Sequence, residues 1–133
     1  MEAECRVPIK SERDIVVARQ RGRALATKIG FSISDATLIA TAISELARNI
    51  VSYAGEGMIA MNAIYNSTRE GLLIVASDEG PGIADIPRAM RDGFSTSGSL
   101  GIGLPGVRRL MDEFEIASQP GAGTIVTVTK WKF

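Results

Sequence analysis

Leu72-Leu73-Ile74-Val75-Ala76-Ser77-Asp78-Glu79-Gly80-Pro81-Gly82 runs an apolar stretch straight into a turn of acidic residues, glycine and proline. The run Leu72 to Ser77, bounded by turn residues on both sides, predicts a buried strand. The turn that follows has an ordinary reading, since Asp, Gly and Pro all favour a chain leaving a strand. It also has a chemical one. A carboxylate at a strand exit can accept a hydrogen bond from an exocyclic amine, and Gly80 and Gly82 would let the backbone approach a flat ring closely.

Working outward, Gly57 to Tyr65 reads as a second strand, joined to the first by a polar turn from Asn66 to Gly71. Upstream, Ser34-Asp35 opens a helix that runs to Ala54 and stops at Gly55, with a core stripe of Leu38, Ala42, Ile43, Leu46, Ile50 and Tyr53 or Ala54. An earlier helix starts at an N-cap Ser11, carries Ile15, Ala18, Gly22, Leu25 and Ile29 at helical spacing, and ends at Gly30. Its basic residues Arg19, Arg21, Arg23 and Lys28 suit a solvated face or a partner surface. Val7 to Ile9 reads as a short edge strand, because Pro8 cannot donate to a central ladder. Downstream, Asp85 to Asp92 suits a short helix, and Gly93 to Gly103 predicts a mobile loop. Leu104 to Phe114 suits a third main helix with Pro105 in its first turn. Glu115 to Gln119 and Thr124 to Trp131 then form a closing hairpin across Pro120-Gly-Ala-Gly123. Helices gathered on one face of a mixed, mostly antiparallel sheet give an α+β, two-layer sandwich, one domain over residues 1–133.

Composition narrows the function classes. The chain has 133 residues, 45% hydrophobic and 23% charged, and its 15 basic residues balance 15 acidic ones. Such a balance, without long runs of one sign, forecasts neither a nucleic-acid binder nor a membrane-surface protein. The absence of histidine excludes His catalysis, His metal ligands and a phosphorylated histidine. Cys5, alone, can form neither an intramolecular disulfide nor a CxxC metal site. The chain starts without the apolar core of a signal peptide, and no stretch is apolar for the length of a membrane span, so a cytoplasmic protein is expected.

Three further patterns bear on chemistry. Glu45-Leu-Ala-Arg48-Asn49 lies on the second helix, where positions four apart share a face, so Glu45 and Asn49 present a carboxylate and an amide side by side. Thr41, Arg48 and Ser52 extend that polar stripe, which a plain solvent-facing helix side would also show. Gly101-Ile-Gly103-Leu-Pro-Gly106 matches GxGxxG, but it follows a polar loop rather than a strand, and no acidic residue stands about twenty positions on, as a Rossmann site requires. No HRD-type catalytic loop, DFG or GK[ST] is present, which removes the protein-kinase Gly-rich loop and Walker A readings. What remains is a glycine-rich loop feeding a helix N-terminus, where free N–H groups and the helix dipole suit phosphates.

The order of these pieces is more telling than any one of them. ELARN on a helix, DEGPG after a strand, a Gly/Ser loop ending in GIGLPG, and a strand entered through Gly123-Thr124 resemble the N box, G1 box, lid and G2 box of the Bergerat-fold (GHKL) ATPases and kinases. The likeness spans roughly Asp35 to Val128. Within that superfamily, TAISELARNI, DEGPGI, DGFSTSG and LGIGLPGVRRLMDEF look like the stressosome switch serine/threonine kinases.

That resemblance implies ATP and Mg²⁺ as cofactors. It implies that Asn49 ligates Mg²⁺, that Asp78 holds the adenine amino group with Gly80 and Gly82 near the ring, and that Thr124 supports the adenine through Asp78 or water. It places Gly101, Ile102, Gly103 and Leu104 around the phosphates, Ser95 and Thr96 in the lid, and Glu45 as the carboxylate that activates the attacking oxygen. The implied substrates are STAS-domain scaffold and antagonist proteins, and the implied target a PP2C-type phosphatase that the released kinase binds and activates. An anti-sigma factor kinase that sequesters a sigma factor, and a non-catalytic module of the same fold, are the competing readings. One departure stands out: the lid from Phe94 to Gly103 has no Lys or Arg, where some related kinases place a cation. Arg88, Arg91 and Arg108, or the hydroxyls of Ser95, Thr96 and Ser97, are candidates to replace it, and Ser95 to Ser99 also reads as a phosphoacceptor cluster.

A native-state ligand must stabilise the fold that binds it. Mg-ATP at about a hundred times its dissociation constant is therefore expected to add about 2.7 kcal/mol of stability and raise the melting temperature measured by circular dichroism. An unchanged melting temperature would favour the non-catalytic module.

Overall fold

The computed structural model describes residues 4–82, 90 and 103–132. Five strands form one sheet: β1 (Glu4–Ile9), β2 (Gly57–Tyr65), β3 (Glu70–Asp78), β4 (Glu113–Gln119) and β5 (Gly123–Trp131). Their order across the sheet is β1-β2-β3-β5-β4, and every neighbouring pair is antiparallel. Three helices, α1 (Glu12–Ile29), α2 (Ile33–Tyr53) and α3 (Gly103–Leu110), complete the described elements.

Alternation along the strands builds the core. Residues directly opposite in an antiparallel pair point the same way. Ile59 and Met61 on β2, Leu72, Ile74 and Ala76 on β3, and Val126 and Val128 on β5 therefore form one continuous buried patch. Val7 and Ile9 extend it to the β1 edge, where Pro8 faces the other way and costs the ladder no internal donor. Ile39, Ile43, Leu46 and Ile50 of α2 pack against this patch at alternating spacings of four and three, the stripe that one helix face presents. Helix α1 lies beside α2 on the same face of the sheet, close enough at Gly22 that a Cβ there would overlap the Ile43 side chain and stand 3.3 Å from Met61 Sδ of β2.

The helix ends show where local signals yield. Ser11 sits at the N-cap of α1 without a side-chain cap bond; Asp14 accepts from the Lys10 N–H at 2.8 Å instead. Gly30 closes α1 in the left-handed region at φ 109°. The cap of α2 is Ser32 rather than Ser34, its hydroxyl accepting from the Asp35 N–H at 3.1 Å. The expected core stripe holds at Ala42, Ile43, Leu46 and Ile50, all buried, but at its ends Ile39 is fully buried in place of the half-buried Leu38, and Tyr53 is exposed.

The end of α3 departs most from the sequence reading. It stops at Leu110, and Phe114 belongs to β4. The Asp112 N–H turns to the Thr129 carbonyl at 2.9 Å instead of continuing the helix, and the Asp112 carboxylate accepts from the Trp131 N–H at 2.7 Å. Pairing with β5 thus outweighs the helical pattern. Strand β3 is also longer than its apolar run, from Glu70 to Asp78, because Asn66 Oδ1 accepts from the Thr68 and Arg69 N–H groups and closes the β2–β3 turn early. The expected helix over residues 85–92 and loop over 93–102 lie outside the described residues, apart from Met90.

Ile43 is fully buried between α1 and the sheet. Ile43→Ala is expected to lower the unfolding free energy by about 2–5 kcal/mol in urea denaturation. A loss below about 1 kcal/mol would mean that the layers close around the gap.

Candidate active site

The end of the sheet supplies the first half of the site. Gly57, Asp78, Thr124 and Ser118 lie side by side on β2, β3, β5 and β4, one row beyond the last buried apolar row of Ala76 and its neighbours. This row faces the helices, since a Cβ at Gly57 would stand 2.9 Å from Ile50 Cγ2 of α2 and 3.1 Å from Asp78 Cβ. Asp78 is half-buried there. Its Oδ1 accepts from the Gly80 N–H at 2.9 Å, which fixes the carboxylate at the strand exit, and Oδ2 has no hydrogen-bond partner among the described residues. The Thr124 and Ser118 hydroxyls meet at 2.8 Å, and Ser118 Oγ lies 3.0 Å from the Gly123 carbonyl.

Close backbone approach is what these glycines provide. A Cβ at Gly123, whose φ is 88°, would overlap the Asp78 carbonyl oxygen, and one at Gly82, φ 77°, would overlap the Gln119 carbonyl. A Cβ at Gly80 would lie 2.5 Å from Ala54 Cβ, so the turn after β3 rests on the residue that caps α2.

The second half lies on α2, one turn earlier. Glu45 is 7% exposed, unusual for a carboxylate. Its burial is compensated on both oxygens: Oε1 pairs with the Arg48 guanidinium at 2.5 Å, and Oε2 accepts from the Gly103 N–H at 3.2 Å. Asn49 is half-buried on the same helix, and its amide makes no hydrogen bond to the described residues. Gly103 opens α3, whose Leu104 and Val107 are buried in the core, so the helix N-terminus is held against Glu45. An anionic group already stands on that first N–H, the environment a phosphate would also find.

The donor set suits a nucleotide with a magnesium ion. No cluster of three or more His, Cys, Asp or Glu able to cage a metal occurs among the described residues. A lone amide such as Asn49 fits Mg²⁺, which keeps several waters and takes phosphate oxygens. Among the described residues, Asp78 leaves one carboxylate oxygen open to an amine, and Gly103 directs an N–H to an anion.

Glu45, Asn49, Asp78, Gly80, Gly82, Gly103, Leu104 and Thr124 therefore all lie on the sheet end, on α2 or at the start of α3, although Leu104 contributes its side chain to the core. Ser95, Thr96, Gly101 and Ile102 lie outside the described residues. Sequence reasoning did not find Ser118 or the packing role of Gly57. Ser118 is named only by the β4–β5 register; Gly57, opening its strand, carried a weak signal.

The chain belongs to the histidine kinase-like ATPase domain family, whose model matches residues 9–130. Within it the chain is an enzyme of the serine/threonine-protein kinase kind. It is 55% identical over 125 residues, 94% of each chain, to the serine/threonine-protein kinase RsbT of Bacillus subtilis (strain 168). It is 34% identical over 120 residues to the anti-sigma F factor of Thermoanaerobacter sp. (strain X514), covering 86% of this chain and 82% of that one. Among solved structures, the RsbU and RsbW domains of Rv1364c from Mycobacterium tuberculosis match with a TM-score of 0.61 at 21% identity, over 98% of this chain and 31% of that one. The mycobacterial sensor histidine kinase MprB matches with a TM-score of 0.56 at 19% identity, over 97% of both chains. At these identities the two structures speak for the fold. No described helix is long and apolar enough to cross a membrane.

Gly121 and Gly123 both have positive φ, 78° and 88°, but a Cβ at Gly121 meets nothing within 4 Å. Gly121→Ala is expected to cost about 1–2 kcal/mol of backbone strain, and Gly123→Ala clearly more, in parallel urea titrations. Equal costs would refute the tight approach of Gly123 to Asp78.

Proposed function

We propose that this chain is an ATP-dependent kinase of a bacterial partner-switching stress-response module, acting as a single domain over residues 1–133. The observation that carries this reading is the buried Glu45 carboxylate, held against the first N–H of α3 and placed on the same helix face as Asn49. In this reading Asp78 Oδ2 accepts the adenine amino group, Gly80 and Gly82 admit the ring, and Thr124 with Ser118 braces the strand beside Asp78. Asn49 holds Mg²⁺, which when bound supplies charge neutralisation on the phosphates. Gly101 to Leu104 offer backbone N–H groups to the same phosphates, and Ser95 and Thr96 cover them.

Glu45 then accepts the proton of a serine or threonine hydroxyl as that oxygen bonds to the terminal phosphorus. The bond to the ADP oxygen breaks and ADP leaves, so atoms and charge balance. Positioned proton acceptance is worth typically ~10²–10⁴ in rate, with positioning and electrostatics supplying most of the rest.

The 55% identity to a serine/threonine-protein kinase supports the kinase reading over sigma-factor sequestration, for which the 34% identity to anti-sigma F factors argues. Acceptor residues on STAS-domain scaffold or antagonist proteins, and a PP2C-type phosphatase as the activated target, complete the proposal, with a cytoplasmic location. A pull-down from lysate separates the two readings. Recovery of a sigma factor would replace ours; recovery of a STAS protein or phosphatase would support it.

Phosphotransfer from labelled Mg-ATP to STAS proteins encoded beside this chain tests the roles. Asp78→Asn is expected to abolish nucleotide binding, because an amide presents a donor to the adenine amine. Glu45→Gln should keep Mg-ATP binding and lower transfer by ~10²–10⁴. Unchanged transfer in Glu45→Gln would remove the catalytic assignment.

A further inference from the structure

Phosphoryl transfer needs positive charge where negative charge gathers on the transferred oxygens, and a preorganised cation is worth far more than solvent. The segment from Phe94 to Gly103 offers none. Of the arginines considered as replacements, Arg88 and Arg91 lie outside the described residues, and Arg108 is exposed beyond the first turn of α3.

Arg48 stands in a different place. Its guanidinium lies on one oxygen of Glu45 and the first N–H of α3 lies on the other, so a single carboxylate separates this cation from the helix N-terminus. The glutamate side chain is 9% exposed and the arginine side chain 39%, so the arginine has room to turn and the glutamate does not. It also adjoins Asn49 in the chain. Both Glu45 oxygens are engaged in this arrangement, which opposes its use as a base. A terminal phosphate carries more charge than one carboxylate and would compete for both donors.

The geometry points to Arg48 as the cation that meets the terminal phosphate of ATP, exchanging its bond to Glu45 for that phosphate. Gly103 makes the same exchange. Glu45 is thereby freed to accept the acceptor proton only when a transferable phosphate is present, and stays latched otherwise. This inference rests on the nucleotide reading above and deepens it. A merely structural Arg48 would tie down Glu45 in every state and would not sense how many phosphates a nucleotide carries.

Titration calorimetry with Mg-ATP and with Mg-ADP on the full chain tests it, using Arg48→Met, Arg48→Gln and Arg48→Lys, each checked for folding by its nucleotide-free melting curve. Two charge-removing variants are measured so that one that fails to fold does not decide the matter. Loss of the guanidinium is expected to weaken Mg-ATP by about tenfold or more and to change Mg-ADP by less than about twofold. Arg48→Lys should recover part of the Mg-ATP affinity, since it restores the charge but not the planar fork. Equal weakening of both nucleotides, or of neither, overturns the assignment and leaves Arg48 a tether. A wild-type chain that binds neither nucleotide overturns the nucleotide reading together with this one. A wild-type chain that binds Mg-ATP, with charge-removing variants of unchanged ATP-to-ADP preference, overturns this one alone.

Discussion

A carboxylate taken out of water must find compensating partners or it destabilises the fold that buries it. Glu45 meets that demand with one charged and one backbone partner, Arg48 three residues on and Gly103 fifty-eight residues away. The second bond ties α2 to the start of α3 and sets the direction in which that helix presents its unpaired N–H groups. The rest of the site is arranged around this point. Asn49 shares the face, and Leu104 and Val107 lock α3 into the core so that the bond cannot drift.

The sheet contributes through what it omits. Where Ala76, Ile59 and Val126 fill one row, the next holds Gly57, Asp78 and Thr124, and the layer opens toward the end of α2. Side chains at Gly57, Gly80 or Gly123 would press on Ser77, Ala54 and Asp78 and shift the strand exit. The same sheet that builds the core along most of its length thus ends in a polar row, and α2 spans both regions. Stability and chemistry share one helix, where Leu46 and Ile50 reach the core from the same turns that carry Glu45 and Asn49.

Much of this was legible in local pattern. Gly57 to Tyr65 is a strand with the bounds that its sequence predicts, α1 starts and stops where Ser11 and Gly30 place it, and the helices lie on one face of an antiparallel sheet. The misreadings share a cause. Phe114 continues a helical spacing, yet Asp112 and β5 claim it for the sheet, because ladder and core contacts outweigh a fraction of a kcal/mol of propensity. Leu38 and Ile39 are equally apolar, and only the packing of α2 against the sheet and α1 decides which turns inward.

The sequence by itself determined the elements, the order of the ELARN, DEGPG and GIGLPG segments, and the residue types available for chemistry, since periodicity, turn residues and motif spacing are properties of the chain alone. Only the tertiary structure decided that Ser118 braces Thr124, that Gly80 rests on Ala54, and that Glu45 is shared between Arg48 and the N-terminus of α3. Each of these depends on strand register or on helix packing between residues that are not neighbours in a local pattern. Such contacts are chosen by the burial of the whole core, which no short stretch of sequence encodes.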